Sequence, residues 1–131
     1  MKKQITSRGD IEFLVDEFYK KVKQDPVIGH IFNEVIQFSW DVHIPIMISF
    51  WETILLHKVS YKGNPVLTHV ELNRKIPLTK EHFDLWKELF FETLDTYFEG
   101  ENTAEAKKKV EVMESLMMYK IDQSTNPGFI Q

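Results

Sequence analysis

The chain has 131 residues, 16 basic and 20 acidic, with a formal net charge of −4; one domain is expected, and the acidic balance argues against a nucleic-acid binder, which presents a basic face. Charged residues at 27% and hydrophobic ones at 43% exclude a disordered chain, and the longest uncharged central run, Val42–Trp51, has ten residues against the ~20 of a membrane helix. There is no cysteine, which excludes disulfides, zinc ribbons, thiolate catalysis and thioether-attached cofactors. The basic start Met1-Lys2-Lys3 is followed by no apolar core, so no signal peptide is expected and a reducing cytoplasm is the default location. The unusual figure is the aromatic content: 10 Phe, 4 Tyr and 3 Trp, or 13%. So many rings in a small domain build an aromatic core or line a pocket for something flat and apolar.

In chain order, Asp10–Lys23 reads as a helix, with Ile11, Leu14, Val15, Phe18 and Val22 at helical spacing. Ser7, three residues before Asp10, gives it a capping-box start. Asp25-Pro26 breaks it, and Val27, Ile31 and Phe32 are the apolar points of a short segment. A second helix is predicted from Trp40 to His57, with Met47, Phe50, Trp51, Ile54 and Leu55 on its apolar face and Pro45 near its start. His43, four residues before Met47 and seven before Phe50, lies on that apolar face. Periodicity is lost from Lys58 to Pro77, where Gly63-Asn64-Pro65 signals a turn. At most one helical turn is expected around His69, and a long unpatterned stretch is often functional. Thr79 caps the strongest helix, Lys80–Phe98, striped by Phe83, Trp86, Phe90, Leu94 and Tyr97, with Gly100 as its C-cap. Asn102 with Glu105 opens the last helix, Thr103–Ile121, whose stripe is Ala106, Val110, Met113, Met117 and Ile121. Residues 1–9 and 122–131 are expected to be loosely held. The pattern predicts an all-α chain with four substantial helices and no strand.

The common catalytic signatures are missing. Phosphate-cradling glycine loops, H-E-x-x-H, E-x-x-H and G-x-S-x-G do not occur. Of five histidines, His30, His57 and His82 read as surface or locally satisfied groups. His43 on an apolar face and His69 between Leu67 and Leu72 are less ordinary. Tyr19 points at or near the core; its hydroxyl could simply bond a backbone carbonyl, and Trp86 could simply be core. Together these groups also suit a haem, with one imidazole on the iron and polar donors opposite. Composition and spacing permit that without requiring it.

The order and spacing of several short elements resemble the group III truncated haemoglobins over Asp10–Met118. The elements are Phe18-Tyr19; the W-x-x-H-x-P-x-M-x-x-F-W run from Trp40 through His43, Pro45, Met47 and Phe50 to Trp51; Gly63-Asn64-Pro65 followed by His69; and His82-Phe83-x-x-Trp86. The Gly-Gly pairs of other truncated globins are absent. The resemblance implies a two-over-two helical sandwich, a shortened globin fold, around a non-covalent haem b. It implies His69 as the iron's axial ligand and Tyr19, His43 and Trp86 as ligand-stabilising groups opposite. Phe18, Phe32, Met47, Phe50, Leu72 and Phe83 would wall the porphyrin, and Arg74 or Lys75 could meet its propionates. The implied partners are O₂, NO, CO or peroxide, with a reductase as electron source and neither nucleic acid nor membrane. The implied role is O₂ or NO handling, or peroxide chemistry, rather than bulk oxygen transport. The alternative is a globin-fold sensor or interaction module in which haem is optional. Lys87 stands where a leucine is expected, and Val110 and Ser115 stand where small alanines are common.

Overall fold

The computed structural model describes residues 2–31, 40–75 and 77–125. Six helices follow one another: α1 (Arg8–Gln24), α2 (Ile28–His30), α3 (Trp40–Leu56), α4 (Pro65–Lys75), α5 (Lys80–Tyr97) and α6 (Glu101–Thr125). Among the described residues there is no strand, only an isolated bridge between Lys3 and Phe98. None of these helices is long and apolar enough to cross a membrane. Phe32 and the Asn126-Pro127-Gly128 tail lie outside the described residues.

The start of α1 follows from its cap. Ser7 is extended (φ −141°, ψ 164°), and its hydroxyl accepts from the Asp10 amide at 3.3 Å. Asp10 answers by accepting from the Ser7 and Thr6 amides at 3.2 and 3.0 Å, and Lys3 Nζ lies 2.6 Å from its other oxygen. Burial alone would raise this carboxyl, but the Lys3 bond, the amides and the Lys3 charge outweigh it and hold Asp10 at about 2. The folded value lies below the unfolded one, so the contribution is complete above the ordinary aspartate range and fades as pH falls towards 2. Asp10→Ala is expected to cost about 1–2 kcal/mol at pH 7, discounted because Lys3 is exposed. Urea titrations should show that gap closing between about pH 5 and 2; a gap independent of pH would remove the carboxylate from the explanation.

The segment before α1, expected to be loosely held, is pinned. Lys3 N–H bonds the Tyr97 carbonyl at 3.3 Å, Glu99 N–H bonds the Lys3 carbonyl at 2.9 Å, and Ile5 is fully buried. Asp25 closes α1, and its carboxylate accepts from the amides of Val27 and Ile28. Gly29 then passes so close to α1 that a Cβ would lie 2.7 Å from the Val22 carbonyl oxygen, which leaves no room for a side chain.

The longer helices form two layers. α1 packs on α3, α5 packs on α6, and contacts of α1 with α5 and of α3 with α6 join the pairs. The core lies between them, carried by Leu14, Phe18, Trp51, Leu55, Phe90 and Leu94. At Lys87, where an apolar residue was expected, the ammonium reaches Glu114 of α6 at 3.5 Å and lies 4.0 Å from Asp84. The position therefore joins α5 to α6 by charge instead of by apolar packing.

Beyond shifts of one or two residues at the ends of α1 and α3, and an α6 that runs on to Thr125 into the end expected to be loosely held, three boundaries differ from the sequence reading. The stretch expected to hold at most one turn contains α4, eleven residues long and packed on α6. Asn64 starts it, its side-chain oxygen accepting from the Leu67 amide at 3.0 Å, and Pro65 fits the first turn. The pattern failed because the inward positions are not all apolar. Asn73 is buried, its oxygen accepting from the Leu78 amide at 2.7 Å, and His69 is half-buried. Secondly, α5 closes on Phe98, not on Gly100; Gly100 has φ +101° and turns the chain into α6. Thirdly, α6 begins at Glu101, so Asn102 lies in its first turn, and its amide donates to the Ile5 carbonyl at 2.7 Å.

Candidate cofactor site

Aromatic packing fixes the floor of the site. Phe18 of α1 meets Trp86 and Phe90 of α5 edge-on, with centroids 4.9 and 5.0 Å apart. Trp86 stacks on Phe90 at 5.0 Å, and Phe90 stacks on Trp51 of α3 at 5.1 Å. Each ring is thus held by two or more others in favoured geometries, and a residue displaced from the stack loses several contacts at once. Phe50 is buried beside Trp51, and Met47 packs on the same cluster.

Above that floor three polar groups converge. Tyr19 is 4% exposed, and its hydroxyl lies 3.1 Å from His43 Nε2. Burial pushes the Tyr19 phenol well above its usual range, only partly countered by a hydrogen bond with the Trp86 side chain. Burial first, and the neighbourhood of His69 second, lower the His43 imidazole to about 4. At neutral pH, then, Tyr19 keeps its proton and His43 is uncharged. A neutral imidazole gives Nε2 two options: a lone pair that accepts from the phenol, or an N–H that donates to it. Trp40 closes the outer side, edge-on to Tyr19 at 5.4 Å, with Lys23 Nζ 4.7 Å from its ring centroid.

His69 comes from α4. Its Nδ1 lies 2.6 Å from the carbonyl oxygen of Pro65, four residues back in the same helix. A carbonyl only accepts, so Nδ1 carries the hydrogen and donates it. The neutral ring then has its lone pair on Nε2, the state a metal ligand needs. Burial lowers the His69 imidazole and the Pro65 bond raises it in part. Phe83 of α5 flanks the ring at 6.1 Å.

Among the expected site residues, Tyr19, His43, Trp86 and Phe18 therefore come together, Met47 and Phe50 join the same apolar cluster, and His69 meets Phe83. Leu72 is half-buried, three residues beyond His69 on α4. Phe32 and the side chains of Arg74 and Lys75 lie outside the described residues. His82 is locally satisfied, its Nδ1 accepting from the Thr79 amide at 3.2 Å. Sequence reasoning missed the Pro65 carbonyl, although a proline four residues before a histidine was visible once a helix was granted. It also missed Trp40 as the outer wall. One orienting carbonyl, an imidazole whose remaining nitrogen carries a lone pair, an apolar floor and neutral donors are the kinds of group that hold a haem.

No protein-family model matches the chain. It is 34% identical over 104 residues to the group 3 truncated hemoglobin ctb of Campylobacter jejuni subsp. jejuni serotype O:2, covering 77% of this chain and 80% of that one. The crystal structure of the group III truncated hemoglobin from Campylobacter jejuni superposes with a TM-score of 0.82 at 28% identity, covering 96% of this chain and 99% of that one. The helical sandwich is thus a globin with a shortened set of helices. With a third of the aligned residues identical over most of both lengths, the chain belongs to the group III truncated haemoglobin family. That family implies a haem cofactor and small diatomic ligands.

Proposed function

We propose that the chain binds haem b, that His69 would hold its iron, and that Tyr19, His43 and Trp86 would stabilise O₂ or a related bound ligand. The observation that carries this reading is the 2.6 Å contact between His69 Nδ1 and the Pro65 carbonyl, which leaves Nε2 as the one lone pair of that ring. When bound, haem supplies an iron that takes diatomic ligands and exchanges electrons. His69 would hold the cofactor, and Phe18, Met47, Phe50, Leu72 and Phe83 would keep water away from it. The Tyr19 hydroxyl, kept protonated by burial, donates to an acceptor in the cavity. When it does so, His43 supplies an N–H to the phenol oxygen in place of the lone pair, so the phenol stays hydrogen-bonded. The Trp86 indole, whose single N–H meets the Tyr19 oxygen in this structure, would be a second neutral donor once turned to the ligand.

Two donors in a dry pocket retain a ligand that accumulates negative charge, which suits a poor carrier. The role proposed is O₂ or NO handling, or peroxide reduction with electrons from a cytoplasmic reductase. The deciding measurement is the absorption spectrum of the purified protein, as isolated, after dithionite and after carbon monoxide. A Soret band that shifts at each step is expected. No band after hemin is added would leave a globin-fold interaction module as the function.

A further inference from the structure

The loop from residue 57 to 64 joins α3 to the helix that bears His69. It is fastened to α3 through two hydroxyls, those of Thr53 and Ser60. Thr53 Oγ1 donates to the Ser49 carbonyl at 2.9 Å and accepts from the Ser60 amide at 3.2 Å and the Tyr61 amide at 3.0 Å. That uses its single hydrogen and both lone pairs. Ser60 adds a hydroxyl bond to Glu52 at 2.7 Å, and Arg8 of α1 holds the same carboxylate oxygen at 2.7 Å. Glu52 is 7% exposed, a buried charge kept by these two donors. Tyr61 then packs edge-on against Phe50 at 5.1 Å. Only Lys62, Gly63 and Asn64 separate this fastening from Pro65, whose carbonyl orients His69.

We propose that Thr53, with Glu52 and Ser60, is a positioning clamp: by fixing two consecutive loop amides to α3 it sets where α4 begins, and thereby how closely His69 approaches the iron. The clamp rests on His69 being the axial ligand, as proposed above. Thr53 does not touch the cofactor site; it acts through Ser60, Tyr61 and the first turn of α4. An α3 that also carries His43 thus fixes the spacing between the two sides of the pocket. Thr96 supplies an internal comparison, since its hydroxyl makes the same bond to a carbonyl four residues back, Glu92 at 2.8 Å, on the exposed face of α5.

The test compares Thr53→Val with Thr96→Val and Thr53→Ser in the haem-loaded protein. Valine keeps the shape of threonine and cannot accept the two amides. Thr53→Val is expected to retain its Soret band but to shift or broaden the iron–histidine stretching band of the ferrous protein in resonance Raman spectra. Its nitric oxide adduct should show a severalfold larger five-coordinate fraction. Amide exchange over residues 66–70 of the apoprotein should quicken by about tenfold. Thr96→Val and Thr53→Ser should match the wild type in each. A Thr53→Val protein with the iron–histidine band and nitric oxide adduct of Thr96→Val would overturn the clamp, because general destabilisation does not move either signal. If Thr53→Val does not fold, Ser60→Ala, which alters an exposed side chain, is read by the same criteria. His69→Gly separates the two claims. Loss of the band there with no change in Thr53→Val removes the clamp alone, and an unchanged band in His69→Gly removes both.

Discussion

His69→Gly is expected to lose stable haem. Among the described side chains of α4 the imidazole is the one that presents a nitrogen lone pair, and its Nδ1 is already committed to Pro65 at 2.6 Å. Removing a whole ligand costs more than removing its orienting partner, which by itself weakens metal sites by about ten- to a hundredfold. Haem affinity should therefore fall by at least about a hundredfold, seen as apoprotein after gel filtration and as rapid transfer of added hemin to apomyoglobin. Millimolar imidazole should restore a Soret band, because the cavity left by the ring accepts it and the apolar walls are intact. The rescue is the discriminating half of the experiment. A variant that merely misfolds gains nothing from imidazole, whereas unchanged haem retention would place the ligand elsewhere. A smaller form of the same result is expected at Pro65 itself. Substitution there leaves a main-chain carbonyl in place, so haem content should change little.

Tyr19→Phe is expected to speed O₂ dissociation from the reduced, haem-loaded protein. The change removes one oxygen and keeps the ring that packs against Phe18 at 4.8 Å and Trp40 at 5.4 Å. A hydrogen bond to a group bearing charge in a dry cavity contributes about 1–3 kcal/mol, so stopped-flow traces should show release faster by about five- to 150-fold. The Trp86 indole remains, which is why the effect stops short of a pocket without donors. His43 loses its phenol partner at the same time. Carbon monoxide, which gains little negative charge, should leave at close to the wild-type rate. Equal O₂ dissociation rates in the variant and the wild type would return Tyr19 to a purely packing role.

Much of this architecture was legible in the chain, for identifiable reasons. Ser7 and Asp10, and Thr79 before α5, are local devices whose partners lie three residues apart, so their caps formed as read. The stripe of α5 was visible because its inward positions are nearly all apolar. His43 could be placed on a buried face from its spacing to Met47 and Phe50. The side on which His69 sits was hidden by the opposite circumstance. Its helix turns polar groups inward, with Asn73 buried to brace the following turn, and a search for apolar period finds nothing there. Tyr19 shows where local reading ends. Its inward direction followed from Phe18 and Val15, but the choice between a backbone carbonyl and His43 Nε2 depends on a helix 24 positions away. Glu52 gave still less warning, because a carboxylate on α3 looks like a solvated charge until Arg8 and Ser60 are brought beside it.

The bond from His69 to Pro65 lies wholly within one turn of α4, and this has an evolutionary consequence. A ring whose rotation is set by its own helix keeps its aim wherever that helix is carried. Translation of the helix is governed separately, by the connection to α3 and by the packing on α6. Rotation and reach can then drift independently under selection. With His69 as the proposed ligand, substitutions in the loop would retune how firmly the cofactor is held without misdirecting the His69 nitrogen, and a lineage could explore weaker or tighter variants by single steps.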